Sequence, residues 1–139
     1  MPSKTHIGTG QIFEGTNAVI MHRLNLPDGT AVATGNTTGI NVTLNVYEVG
    51  HPTRGDVASS TQSLTRTAVI IAMATDGYWD VDGTGYNFKH VAAYGTANSS
   101  SAVNYRGGRK YRHEYEVLSD SFGIIRWVTV LEVIALSAI

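Results

Sequence analysis

Lys110-Tyr-Arg-His-Glu-Tyr-Glu-Val-Leu118, then Ser119-Asp-Ser-Phe-Gly123, then Ile124-Ile-Arg-Trp-Val-Thr-Val-Leu-Glu-Val-Ile134 is the stretch that decides the fold. In its first part Tyr111, His113, Tyr115 and Val117 alternate with Lys110, Arg112, Glu114 and Glu116. Successive side chains of a strand face opposite sides of the sheet, so this part has one packed face and one wet face. Ser119 to Gly123 supplies turn chemistry, with small polar residues that bond their own backbone and a Gly free to reverse the chain. The whole predicts a β-hairpin whose second strand is β-branched and long. Ile125, Trp127, Leu131 and Val133 share one face of that strand. The other face holds Arg126 and Glu132, but also Ile124, Val128, Val130 and Ile134. A strand apolar on both faces is either central in a two-layer fold or covered by another subunit.

Working outward, Ile40 to Val49 predicts a second clean strand, with Ile40, Val42, Leu44 and Val46 on its packed side. Tyr86, Phe88 and His90 alternate with Asn87, Lys89 and Val91 and predict another. Gln11 to Leu26 is a β candidate with no single register, Pro27-Asp-Gly29 is a turn, and Thr30 to Thr34 is a short edge strand. Arg54 to Ser63, small and polar, reads as a loop. Leu64 to Ala74 reads as one apolar strand, and Tyr78 to Val81 as a short one. Tyr94 to Gly108 reads as a long loop, and loops of that length tend to be functional or mobile. Met1 to Gly10 is expected to be a flexible arm, with residues 11–139 forming a single domain. Seven or eight strands with frequent turn signals and no convincing helix predict an all-β antiparallel sandwich. Trp79 in mid-chain, together with Gly108-x-x-Tyr111-x-x-x-Tyr115, fits an immunoglobulin-like version, in which an aromatic fills the inter-sheet core and a tyrosine ties its hydroxyl back to the chain. Tyr111 and Tyr115 are both candidates for that tyrosine.

The composition narrows the function classes. With 139 residues, a net charge of −1 and 15% charged residues, there is no basic surplus for nucleic acid and no acidic block. Low charge beside 42% apolar residues suits a chain that buries surface against partners. The longest apolar run, around Ala68 to Ala74, is too short to span a bilayer as a helix, so no membrane role is expected. There is no cysteine, hence no disulfide and no thiolate metal site.

Catalytic and metal motifs are sparse. Asp80-Val-Asp82-Gly could offer oxygens to Ca²⁺ but lacks the remaining ligands of a calcium loop and also reads as a plain turn. No metal, cofactor or catalytic residue is therefore assigned. His113 and His90 are expected to be satisfied core histidines, and Glu114 and Glu116 part of a solvated charge ladder. Arg106 and Arg109 form a small basic cluster expected at a protein interface. Tyr78, Trp79, Tyr94 and Tyr105 lie near loops, where aromatics can stack on sugars while polar neighbours bond hydroxyls.

The order of pieces resembles the small immunoglobulin-like β-sandwich modules of tailed-phage virions. The resemblance runs from Phe13 to Leu136. It rests on Leu26-Pro-Asp-Gly-Thr30, the Ile40 to Val46 strand, Gly77-Tyr-Trp-Asp-Val81, Gly107-Gly-x-x-Tyr-x-x-Glu-Tyr-Glu-Val117 and Phe122-Gly-Ile-Ile-Arg-Trp-Val128. It implies a non-enzymatic virion component, a capsid decoration or head–tail protein, assembled in the host cytoplasm. Its expected partners are capsid, portal, neck or tail proteins and further copies of itself. Ile124, Val128, Val130, Ile134, Arg106 and Arg109 are the expected contact residues. The alternative is a carbohydrate-binding module using Tyr78, Trp79, Tyr94 and Tyr105.

Overall fold

The computed structural model describes residues 5–25, 29–32, 39–49, 57–75, 85–119 and 123–136. Among them are eight strands: β1 (Thr5–Phe13), β2 (Ala18–His22), β3 (Ile40–Val49), β4 (Val57–Leu64), β5 (Ile70–Ala74), β6 (Tyr86–Ala92), β7 (Lys110–Ser119) and β8 (Gly123–Ile134). A single helical turn, α1 (Arg66–Val69), precedes β5. The strands form a five-stranded sheet, β1-β8-β7-β3-β4, and a three-stranded sheet, β2-β6-β5. The expected all-β sandwich is thus the observed architecture.

The order is informative. β8-β7-β3-β4 against β2-β6-β5 reproduces the G-F-C-C′ and B-E-D sheets of a variable-type immunoglobulin sandwich. The tyrosine corner is present as well. Tyr111, near the start of β7, donates its hydroxyl to the Asn104 carbonyl at 2.9 Å and accepts from the Arg106 amide at 2.9 Å. Of the two candidate tyrosines, Tyr111 makes the corner. Tyr115 lies in the core and meets His90 Nδ1 at 2.9 Å.

Alternation decides which residues the sheets enclose. The inward rows Ile40/Val42/Leu44/Val46, Tyr111/His113/Tyr115/Val117 and Trp127/Leu131/Val133 are all buried. They meet Ala18, Ile20, Phe88 and Ala92 from the three-stranded sheet. Trp127 is the hub, stacked on His22 at 4.3 Å and on Tyr115 at 5.0 Å, with Phe88 edge-on at 4.7 Å. Trp79, expected in that role, lies outside the described residues, as do Tyr78 and the Asp80/Asp82 turn.

Three expectations are corrected. Thr5 to Gly10 is not a loose arm: β1 runs parallel to β8 from Thr5 opposite Arg126 to Phe13 opposite Ile134. Backbone pairing at a sheet edge needs no side-chain periodicity, so the segment carried no local signal. Most of the stretch read as a loop before Ser63 is β4, paired antiparallel with β3. Its inward residues are Ser60 and Gln62, buried but bonded, with the Ser60 hydroxyl donating to the Ser99 carbonyl at 2.6 Å and Gln62 Nε2 to Ser60 at 3.1 Å. Finally, the apolar stretch Leu64 to Ala74 is the end of β4, the turn α1 and β5, rather than one strand.

One buried polar residue pins the segment that follows β2 against β6. Asn87 on β6 is 1% exposed. Its Oδ1 accepts from the Leu24 amide at 2.5 Å, and its Nδ2 donates to the Leu24 and Val32 carbonyls at 2.9 and 3.0 Å. Replacing it by Leu strands buried backbone groups, each at about 1–3 kcal/mol. Asn87→Leu is therefore expected to lose about 3 kcal/mol in a urea titration, and Tyr111→Phe about 1–3 kcal/mol through loss of the corner. Unchanged midpoints for both variants would contradict these roles.

Candidate functional site

The outer face of the five-stranded sheet is where sequence and structure converge. On β8, Ile124, Arg126, Val128, Val130, Glu132 and Ile134 alternate with the buried Trp127, Leu131 and Val133, so they point away from the core. Ile124, Val128, Val130 and Ile134 are half-buried, neither sealed nor open. Val128 lies opposite Glu114 and Val130 opposite Arg112 on β7. The stems of those long side chains account for part of the cover. At the two ends the strip opens, with Leu118 paired to Ile124 and 40% exposed, and Phe13 paired to Ile134 and 49% exposed.

The charges on this face are arranged in pairs. Arg112 Nε meets Glu114 at 2.6 Å, Arg126 Nε meets Glu116 at 2.9 Å, and Lys110 is the register partner of Glu132. Arg112 also sits over the Tyr47 ring, 4.9 Å from its centroid. Lys110, Arg112 and Arg126 balance Glu114, Glu116 and Glu132, so the face is neutral. A neutral, internally paired ladder beside apolar residues can be covered by a partner without burying a lone ion.

The other expected site residues fall elsewhere. Arg106 is exposed, and its amide serves the tyrosine corner. Arg109 is tied to Glu48 by a short ion pair. Glu48 is 7% exposed and ends the inward row of β3, so Arg109 neutralises a buried carboxylate rather than presenting a free charge. Tyr94 is half-buried, and its amide donates to Asn17 Oδ1 at 2.8 Å. Tyr105, expected at a ligand loop, is 1% exposed, edge-on to Tyr111 and hydrogen-bonded to His113 Nε2 at 2.7 Å. Its ring faces the core and is not offered to a ligand.

His113 is a core histidine, fully buried between β3 and β8. Burial pushes its pKa down to about 4, and His90, also desolvated, is lowered to about 4. Burial pushes the Tyr105 and Tyr115 hydroxyls up. None of these groups is poised for proton transfer near neutrality.

A cleft of about 510 Å³ lies where β3 begins and β4 runs into α1, among Asn41, Thr43, Ser63, Leu64 and Arg66. Among the described residues its lining includes no carboxylate, imidazole or thiol. Among the described residues no group of three or more His, Asp or Glu side chains could hold a metal ion. None of their helices is long and apolar enough to cross a membrane. Comparison with protein-family models, with curated proteins and with solved structures returned no match.

The buried imidazole sets a pH dependence. The folded state holds His113 neutral while the unfolded chain takes up a proton below its ordinary value of 6.5. Stability is therefore complete above that value, falls as pH drops from 6.5 toward about 4, and loses nothing more from this group below about 4. The slope from this group is at most about 1.4 kcal/mol per pH unit. Urea titrations between neutral and acid pH should show the loss, and the double variant Tyr105→Phe/His113→Leu should show a shallower one. An identical acid slope in that variant would exclude His113 as a source.

Proposed function

We propose that this chain is a non-enzymatic assembly module that works by covering the outer face of its five-stranded sheet with protein partners. The observation that carries the reading is the Ile124/Val128/Val130/Ile134 strip, half-covered by its own sheet and flanked by a self-neutralised charge ladder. Burying such a strip is favourable at about 25 cal/mol per Å² of apolar surface, and because the charges beside it are paired, covering them leaves no lone ion buried. The setting we propose is the virion of a tailed phage, as a capsid decoration or head–tail component. Its support is the likeness of the order of sequence pieces to immunoglobulin-like virion modules. The carbohydrate-binding alternative is weakened because Tyr105 is enclosed by the core.

Light scattering on the purified chain is expected to show a concentration-dependent oligomer. Val128→Lys, on the outer face, should reduce the mass to that of one chain without lowering the melting temperature by more than a few degrees. Expressed together with the capsid and tail proteins of a phage that encodes it, the chain should co-sediment with assembled particles. A stable monomer that stays apart from such particles contradicts the reading.

A further inference from the structure

The cleft at the start of β3 has a chemistry that the assembly reading does not use. Its volume, about 510 Å³, falls in the range of small-ligand sites, roughly 300–1,000 Å³. The buried Ile40 and Val42 and the half-buried Leu64 supply its apolar part. Its polar part is Asn41, Thr43, Ser63, Thr65, Arg66 and Thr67. Elsewhere in the sandwich polar side chains such as those of Ser60, Asn87 and Tyr111 are tied to backbone. Among the described residues none of the six polar side chains of the cleft makes a hydrogen bond or an ion pair. Thr65 holds the N-cap position of α1 without capping it. Ile40 is the register partner of Ser119, where β7 ends, and Val42 that of Leu64, where β4 ends. The cleft therefore lies at one end of the sandwich, where a rigid scaffold presents its connections and binding residues concentrate.

We propose that this cleft binds a sugar acid, a polyhydroxylated ring bearing one carboxylate. Arg66 sets the charge, as the one ionised side chain of the described lining. A planar guanidinium meets a carboxylate with two parallel N–H donors. A phosphate monoester, at about −1.5 to −2 near neutral pH, would outweigh a single cation. The register sets Glu116 opposite Thr43, but Arg126 holds that carboxylate at 2.9 Å, so the pair adds no net charge beside the cleft. The hydroxyls of Thr43, Ser63, Thr65 and Thr67 and the Asn41 amide can both donate and accept, as the hydroxyls of a sugar ring require. No aromatic ring lines the cleft among the described residues, which separates it from the stacking site expected of Tyr94 and Tyr105. With one exposed cation the affinity is weak, on the order of millimolar. Sugar binding here and protein docking on β8 do not depend on each other.

Amide NMR of the full, isotope-labelled chain titrated with galacturonate tests the proposal. Signals of residues 40–43 and 63–67 should shift saturably. Galactose, the same ring without the carboxylate, should bind about tenfold more weakly. Arg66→Gln should abolish that preference, and Arg66→Lys, which keeps the charge but not the fork, should fall between. Arg66 is exposed, so signals far from the cleft should stay in place in both variants. Thr43→Val, a second variant, should weaken both sugars alike. Trigalacturonate binding more tightly than the single sugar assigns the site to an acidic polysaccharide, and equal binding assigns it to the free acid. No saturable shift, shifts confined to another part of the chain, or an affinity unchanged in Arg66→Gln overturns the proposal. Acetate or an aspartate-bearing tripeptide binding as tightly as galacturonate also overturns it, because the ring hydroxyls would then count for nothing.

Discussion

The contact between Trp127 and the opposite sheet is the one the rest of the structure depends on. The chain has no cysteine, so no covalent tie joins the layers. In immunoglobulin domains the second disulfide cysteine lies two residues after the corner tyrosine. Here that position is His113, hydrogen-bonded to Tyr105 instead of bridged to the other sheet. Cohesion across the sandwich falls to apolar burial and to the cluster of Trp127, Tyr115, Phe88 and His22, with ring centroids 4.3–5.3 Å apart in its principal contacts. Aromatic pairs of this kind contribute about 0.5–1.5 kcal/mol each beyond the area they bury.

That arrangement fixes what is left over. Placing Trp127 inward commits Leu131 and Val133 to the core and, by the two-residue period of a strand, turns Val128, Val130 and Ile134 outward. A one-residue slip would exchange the two sets, exposing the indole and burying Arg126 and Glu132. The long parallel pairing of β1 with β8 gives the last strand a neighbour on each side, so its outer residues are flanked but not roofed. The same geometry that stabilises the sandwich therefore produces the surface read as its working part.

Much of this was legible in the sequence, and the rest was hidden for identifiable reasons. β3, β7 and β8 announce themselves because apolar residues recur at every second position, and that alternation narrows the corner tyrosine to Tyr111 or Tyr115, between which only the hydrogen bonds of Tyr111 decide. β4 carries no such signal because its inward positions include Ser60 and Gln62, whose burial is satisfied by hydrogen bonds rather than by apolar character. β1 is silent in the sequence because its partner, β8, is at the far end of the chain and the pairing is made by backbone. Tyr105 reads as a loop aromatic in sequence because its partner His113 is supplied by the next strand. The half-buried strip on β8, by contrast, was visible directly as a strand apolar on both sides.

On the proposed reading this half-buried strip is partly open to solvent in the single subunit and closed when subunits or partners assemble. Carbene footprinting across a dilution series reads it directly. Val128 and Val130 should be labelled in dilute solution and protected as concentration rises, while the buried Val117 and Leu44 stay unlabelled throughout. Equal labelling of Val128 and Val130 at every concentration, in the presence and absence of assembled particles, would contradict the account.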